Sequence, residues 1–247
     1  MTSSFQNEIC INILTPKPGI TIWYAGIPDI THSIFSKDRH HHFKSRDFRA
    51  VANEIFQKND FTRLFLSDGE ISTINSFKAL KKQIEWISGR YLIKQMIHHI
   101  FLGNLSLDKI TLSYLEQGAP FLTDHPDIPV SLSHSNDYTA VACCKNKDKT
   151  IGIDIEKITK KPDGYFMKIA FTQDEILHLK DDAGPIPIFK NWTIKEAYLK
   201  YIKKGFNESL HRVEIINDEI RHNKNKIDVD VYSTFIDGDY ALSLVSD

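Results

Sequence analysis

Two stretches of this chain carry the same order of local signals, and that order constrains the fold more than any single motif. Ser67-Asp68-Gly69-Glu70 and Thr172-Gln173-Asp174-Glu175 both have the S/T-x-x-E form of a capping box. In a capping box the first side chain accepts from a helix amide and the glutamate reaches back to the cap amide. Trp86 lies nineteen residues after Ser67, Trp192 lies twenty after Thr172, and each tryptophan has Trp-x₇-Lys spacing, to Lys94 and to Lys200. This weak repeat of about 105 residues reads either as an α+β fold of two similar halves related by a pseudo-two-fold, each a long helix packed on a small antiparallel sheet, or as a coincidence between two amphipathic helices. The boundary is placed between residues 148 and 149, giving halves 1–148 and 149–247. A chain of two such halves tends to place its site where they meet.

Strand signals fill in each half. Ile9 to Leu14 and Ile20 to Ala25 flank the turn signal Pro16-Lys17-Pro18-Gly19. A long amphipathic run extends from Ser76 to Leu102, a strand from Ile110 to Leu115, and a turn at Gly118-Ala119-Pro120. Val130 to Ser135 and Thr139 to Cys144 read as a hairpin through Asn136-Asp137, and Val213 to Ile216, Ile227 to Tyr232 and Tyr240 to Val245 as the closing strands. Asp38 to Phe48 is polar, basic and histidine-rich; His40-His41-His42 reads as a solvated loop or helix start, because consecutive histidines point in different directions.

Ile151-Gly152-Ile153-Asp154-Ile155-Glu156 alternates strictly. Side chains repeat every two residues along a strand, so three isoleucines face a core while Gly152, Asp154 and Glu156 face the other way. Two hard-oxygen ligands at i and i+2 suit Mg²⁺, which takes few protein carboxylates and shares its shell with water and substrate phosphates.

Composition narrows the partners. Of 247 residues 41% are hydrophobic and 26% charged, the balance of a soluble globular protein. A formal net charge of −1 provides no general basic field, which argues against nucleic acid and makes any anion site local. Cys10, Cys143 and Cys144 have neither CxxC nor histidine-paired spacing, so a disulfide framework and structural zinc are not expected. With no signal-type apolar core in Met1 to Ile20 and no stretch of about 20 apolar residues, the expectation is a cytoplasmic protein without a membrane anchor.

The run Trp192-Thr193-Ile194-Lys195-Glu196-Ala197-Tyr198-Leu199-Lys200 reads as helix from Asn191 to Ile202. Residues four apart share a face, so Trp192, Glu196 and Lys200 form one stripe. A large aromatic seldom sits on a fully solvated face, which sets Glu196 and Lys200 beside buried surface.

Together, Gly152-Ile-Asp154-Ile-Glu156 and Trp192-Thr-x-Lys195-Glu196-Ala-x-x-Lys200 resemble the signature of the 4′-phosphopantetheinyl transferases, in their Sfp-type branch with two similar halves in one chain. Ser131-Leu132-Ser133-His134-Ser135 resembles the family's Ser-His-Ser strand, Trp86-Ile-Ser-Gly89-Arg90 its first-half Gly-Arg helix, and Lys204-Gly205-Phe206 the segment after its catalytic helix. The resemblance covers Leu66 to the C-terminus.

It implies transfer of the phosphopantetheine arm of coenzyme A to a serine of an acyl or peptidyl carrier protein, with Mg²⁺ and with release of 3′,5′-ADP, by a monomer. Asp154, Glu156 and Glu196 would hold the metal. Glu196 would also accept the serine proton, and Lys195 would act beside it. Lys195 and Lys200 would lie near the pyrophosphate and pantetheine arm, and Arg90, Ser133 and His134 near the nucleotide end. One departure stands out: many relatives carry lysine between the glycine and proline where this chain has Gly118-Ala119-Pro120. Lys78, Lys81 and Lys82 are candidate substitutes for that cation. The departure also motivates an alternative, a coenzyme A-binding protein of the same fold with weak or no catalysis.

Overall fold

Gly19, at φ 84, turns the chain between β1 (Asn12–Lys17) and β2 (Ile20–Gly26), a conformation that costs glycine no steric clash. The computed structural model describes residues 9–35, 64–179 and 184–247, so the histidine run at 40–42 lies outside the described residues. Short helix α1 (Ile27–Phe35), which the sequence did not signal, follows β2. α2 (Asp68–Ser76) starts on the expected capping box, with Ser67 and Glu70 each capping the other's backbone amide. The amphipathic run expected from Ser76 is broken: α3 spans Leu80–Ile100, and Gln83 Nε2 donates to the carbonyls of Ile74 and Phe77, fixing the corner. A hairpin of β3 (Leu112–Tyr114) and β4 (Pro120–Leu122) comes next, so Pro120 begins a strand after the turn at Gly118.

β5 (Val130–Ser135) and β6 (Tyr138–Cys144) form the expected hairpin, with Asn136 at φ 49 in its turn. They complete an antiparallel sheet of order β1-β2-β6-β5. α3 covers one face, where Ile87, Leu92, Ile93, Met96 and Ile97 pack with Trp23, Val130, Val141 and Cys143.

The alternating strand is β7 (Ile151–Lys157). α4 (Gly164–Ala170), α5 (Gln173–Leu179) and α6 (Pro185–Tyr201) follow it, and then a three-stranded sheet of β8 (Val213–Ile216), β9 (Glu219–His222) and β10 (Asn225–Lys226). β11 (Asp230–Ile236) and β12 (Tyr240–Ser246) return to join β7, in the order β11-β12-β7. α6 starts earlier than the Trp192 pattern suggested, because Pro185 fits the first helical turn, where its missing N–H is not needed. It lies between the β7 sheet and the β8 sheet, so Ile194, Ala197, Tyr198 and Leu199 are buried among Val213, Ile215, Ile220 and Val245.

The two larger sheets share a core. Ile20, Ile22, Ala140 and Ala142 of the first pack with Ile151, Ile153, Ile155, Leu242 and Leu244 of the second. The isoleucine face of β7 is therefore turned to the β1-β2-β6-β5 sheet, and its Gly152-Asp154-Glu156 face to α6. No helix among the described residues is long and apolar enough to cross a membrane.

Candidate active site

β7 is an edge strand of its sheet, and β5 runs along its open side without a backbone ladder. Three serines at alternate positions of β5 make the join. Ser131 Oγ accepts from the Ile153 amide at 3.0 Å, and Ser135 Oγ accepts from the Lys157 amide at 3.2 Å. Ser133 Oγ donates to Asp154 Oδ1 and Ser135 Oγ to Glu156 Oε2, both at 2.7 Å. Unpaired strand amides are thereby satisfied, and both carboxylates are oriented from the neighbouring strand.

From the other side, α6 packs backbone against backbone on Gly152. A β-carbon there would stand 2.1 Å from the Ala197 carbonyl oxygen and 2.4 Å from the Tyr201 nitrogen. Only glycine permits this approach. It brings Lys200 Nζ to 2.7 Å from Asp154 Oδ1. Trp192, one turn before Glu196, packs edge-on with Phe166 and Phe171, with ring centroids 5.2 and 6.3 Å away. The stripe predicted on this helix thus has its aromatic end in a small core and its charged end at β7.

Asp154 Oδ2 and Glu196 Oε1 are buried and have no hydrogen-bond partner. A buried, unpartnered carboxylate oxygen is costly. Glu196 responds with a pKa raised to about 7, by burial first and then by the charges of Asp154 and Glu156, against the pull of Lys200. Burial and Asp154 also raise Glu156, with Ser135, Lys200 and Trp192 opposing. Three acids in mutual electrostatic reach, two of them with orphaned oxygens, form a site short of positive charge. Among the described residues no three ligand side chains close into a ready-made metal cage. Mg²⁺ does not require one, since it commonly uses one or two carboxylates with water and substrate phosphate. The hard-oxygen donor set therefore fits that ion.

His134, on the opposite side of β5 from the serines, keeps 39% of its side chain exposed and lies 3.9 Å from Glu85. Desolvation holds its pKa below the ordinary imidazole value, opposed by Glu85 and reinforced by Lys200. Ser133, Asp154, Glu156, Glu196 and Lys200 are thus brought together, with His134 on the other side of β5 beside Glu85.

Two expected residues are not. Lys195 is fully buried on another face of α6, and its ammonium donates to the carbonyls of Ala170 and Leu210 and to Glu175 Oε2 at 2.7 Å. All three donors are used, so Lys195 is a structural strut and does not reach the site. Arg90 is also interior. Its guanidinium lies between the rings of Trp86 and Tyr114, at 4.6 and 5.0 Å, with Nε 3.4 Å from Glu70. Of the substitute cations, Lys81 stands 3.6 Å from Glu85 and Lys82 lies over Phe77. Neither lines the cleft that contains Ala119. That cleft, about 260 Å³, is bounded by Tyr114, Ala119, Leu132, Glu196, Lys200 and Lys203. Sequence reasoning overlooked Gly152 as a packing position, Ser135 and Lys203; the Ser-x-Ser-x-Ser alternation of β5 was the available signal for Ser135.

The sequence profile of the 4′-phosphopantetheinyl transferase superfamily matches residues 150–245, the segment from β7 through β12. The holo-[acyl-carrier-protein] synthase of Mycoplasma mycoides subsp. mycoides is 30% identical over 93 residues, which are 37% of this chain and 83% of that protein. The chain belongs to the 4′-phosphopantetheinyl transferase superfamily. The 4′-phosphopantetheinyl transferase psf-1 of Bacillus pumilus is 28% identical over 149 residues, 59% of this chain and 61% of the relative. The L-aminoadipate-semialdehyde dehydrogenase-phosphopantetheinyl transferase of Xenopus laevis is 28% identical over 143 residues, 52% of this chain and 46% of the relative. The chain spans about half the length of the curated relatives it matches. Within the superfamily, its similarity to proteins such as psf-1 places it in the Sfp-type branch.

Proposed function

We propose that this chain transfers the 4′-phosphopantetheine arm of coenzyme A to a serine hydroxyl of an acyl or peptidyl carrier protein. The observation that carries this reading is the junction of β7 and α6, where Asp154 and Glu196 present orphaned oxygens beside the Lys200 ammonium. In the reaction the serine oxygen bonds to the phosphorus that carries pantetheine. The bond from that phosphorus to the bridging pyrophosphate oxygen breaks, and 3′,5′-ADP leaves with the electron pair. The serine proton goes to Glu196, directly or through a water; without metal its pKa is raised to about 7, and a metal bound to it would lower its basicity. Lys200 donates to phosphate oxygens from a position fixed by Asp154, and Ser133 and Ser135 hold the two strand carboxylates still. Mg²⁺ would be held by Asp154, Glu156 and Glu196, and when bound it would offset the charge of the pyrophosphate. His134, exposed at the end of β5, would donate to the nucleotide end of coenzyme A.

The same reading includes two halves, 1–148 and 149–247, related by a pseudo-two-fold, with the site at their junction. Three relationships support it. The sheet orders β2-β6-β5 and β7-β12-β11 match when each half is read as strand, capped helix, long helix, strand, strand. Each capping-box glutamate binds a buried lysine of the following long helix, Glu70 with Lys94 and Glu175 with Lys195. Tyr138 donates to Asp237 while Tyr240 donates to Asp137, a reciprocal exchange between the turns of the two hairpins. These pairs change the register of the repeat. The tryptophan spacing aligns Lys94 with Lys200, whereas the role of Lys94 in the structure is that of Lys195.

Mass spectrometry of purified carrier proteins incubated with the chain, coenzyme A and Mg²⁺ tests the activity. The expected result is addition of the phosphopantetheine mass, lost in Asp154→Ala and in Glu196→Gln although both variants fold. No addition across a broad panel of acyl and peptidyl carriers would refute the transferase reading, and tight coenzyme A binding without turnover would favour a binding protein of the same fold.

A further inference from the structure

We infer that Lys203 is a further substrate-binding residue, one that takes a phosphate of coenzyme A in the cleft beside Glu196 and Lys200. This rests on the coenzyme A reading above. α6 ends in a Schellman motif: the Lys203 amide donates to the Lys200 carbonyl at 3.0 Å and the Lys204 amide to the Leu199 carbonyl at 3.1 Å. Lys203 occupies the left-handed position of that motif, at φ 57. Glycine is the usual residue there, because a β-carbon is strained in this conformation. A lysine at this point costs stability that glycine would not, and it brings a charge to the edge of the cleft.

The three lysines at this helix end are used differently. Lys200 is committed to Asp154 and Lys204 to Glu208. Lys203 is exposed, and among the described residues its ammonium meets no carboxylate and no carbonyl. It lines the same cleft as Ala119, Glu196 and Lys200. Across that cleft the hairpin residue Ala119 provides no charge, and the lysines at the start of α3 are turned to Glu85 and Phe77. Lys203, which borders both this cleft and the neighbouring one lined by Asp127 and Asp148, therefore offers, among the described residues, an ammonium with all three donors open, the state that suits a phosphate oxygen.

Glycine at this position separates the two roles, since it removes the charge and relieves the backbone together. Coenzyme A binding with Mg²⁺ is measured by calorimetry for the wild type and Lys203→Gly at low and high salt, alongside thermal unfolding. The expected result is affinity about tenfold weaker in the variant, the scale of one charge-assisted contact. The gap narrows as salt rises, and the unfolding midpoint stays unchanged or increases. Equal affinity of the two proteins overturns the inference, as does a loss of affinity accompanied by a lower midpoint. Failure of the wild type to bind coenzyme A at all overturns the reading on which it rests, a result distinct from either.

Discussion

Gly152 lies directly beneath the backbone of Ala197, and the 2.1 Å that would separate an added β-carbon from the Ala197 carbonyl oxygen leaves no rotamer by which a larger residue could escape. The obstruction is main chain on both sides, so the helix itself must lift. Gly152→Ala is expected to cost about 3 kcal/mol, the upper range for overpacking. Urea denaturation measures that cost. Transfer activity should fall further than the folded fraction does, because lifting α6 separates Lys200 from Asp154.

Lys195 and Lys200, one and a half turns apart on the same helix, should respond in opposite ways to the same change. Lys195→Met strands Glu175 in the interior without its ammonium, and removal of one partner of a buried pair costs about 3–5 kcal/mol. Lys200→Met, at a partly exposed position, leaves buried Asp154 its Ser133 contact, so it should cost clearly less stability than Lys195→Met while removing activity. Equal destabilisation by the two in thermal melts would contradict this division of roles.

The acidic cluster predicts how stability depends on pH without metal. Unfolded, Glu196 releases its proton near the ordinary carboxylate pKa of about 4.3; folded, it holds the proton to about 7. Below the first value both states are protonated and the group is neutral in its effect. Across the window the folded state alone keeps the proton, so stability falls as pH rises, by about 3 kcal/mol for this group. Glu156, raised in the same direction, adds to the slope. Chemical denaturation at a series of pH values in chelator should show the decline, and Glu196→Gln should flatten it.

At pH 8, Glu196→Gln should be more stable than the wild type in chelator, since it removes a buried charge with an orphaned oxygen. Added Mg²⁺ should raise the wild-type melting midpoint and move the variant less. A wild type indifferent to millimolar Mg²⁺ at this pH would speak against the proposed ligands.

Ser133→Ala removes the hydroxyl that fixes Asp154 from β5. If Asp154 is a ligand as proposed, loss of this orienting contact weakens Mg²⁺ activation about tenfold. A Mg²⁺ titration of transfer rate reads this directly, and the melting midpoint should change little.

Local signals made much of the architecture legible. Both capping boxes form, with Glu70 and Glu175 closing on Ser67 and Thr172. The β5–β6 hairpin and β8 lie where the strand and turn residues put them. Helix α1, helix α4 and the β9–β10 pair carried no distinct signal. Over residues 191–199 α6 has no solvent face to set a period: sheets flank it on two sides, so its polar residues are buried with its apolar ones. The family resemblance put Lys195 at the site, and the sequence offered no counter-signal, since a buried lysine paired to Glu175 looks in sequence like any solvated one.

The sequence by itself determined the chemistry available to this protein: an alternating strand with Asp154 and Glu156, a helix stripe of Trp192, Glu196 and Lys200, and a strand of alternating serines. Spacing of two and of four residues follows from backbone geometry alone, so those groupings survive any tertiary arrangement. Tertiary structure decided which lysine meets Asp154 at the β7–α6 junction and which is buried against Glu175. That choice depends on what packs on each side of α6 and on how closely Gly152 lets the helix approach, distances set by chain segments remote in sequence that no local spacing encodes.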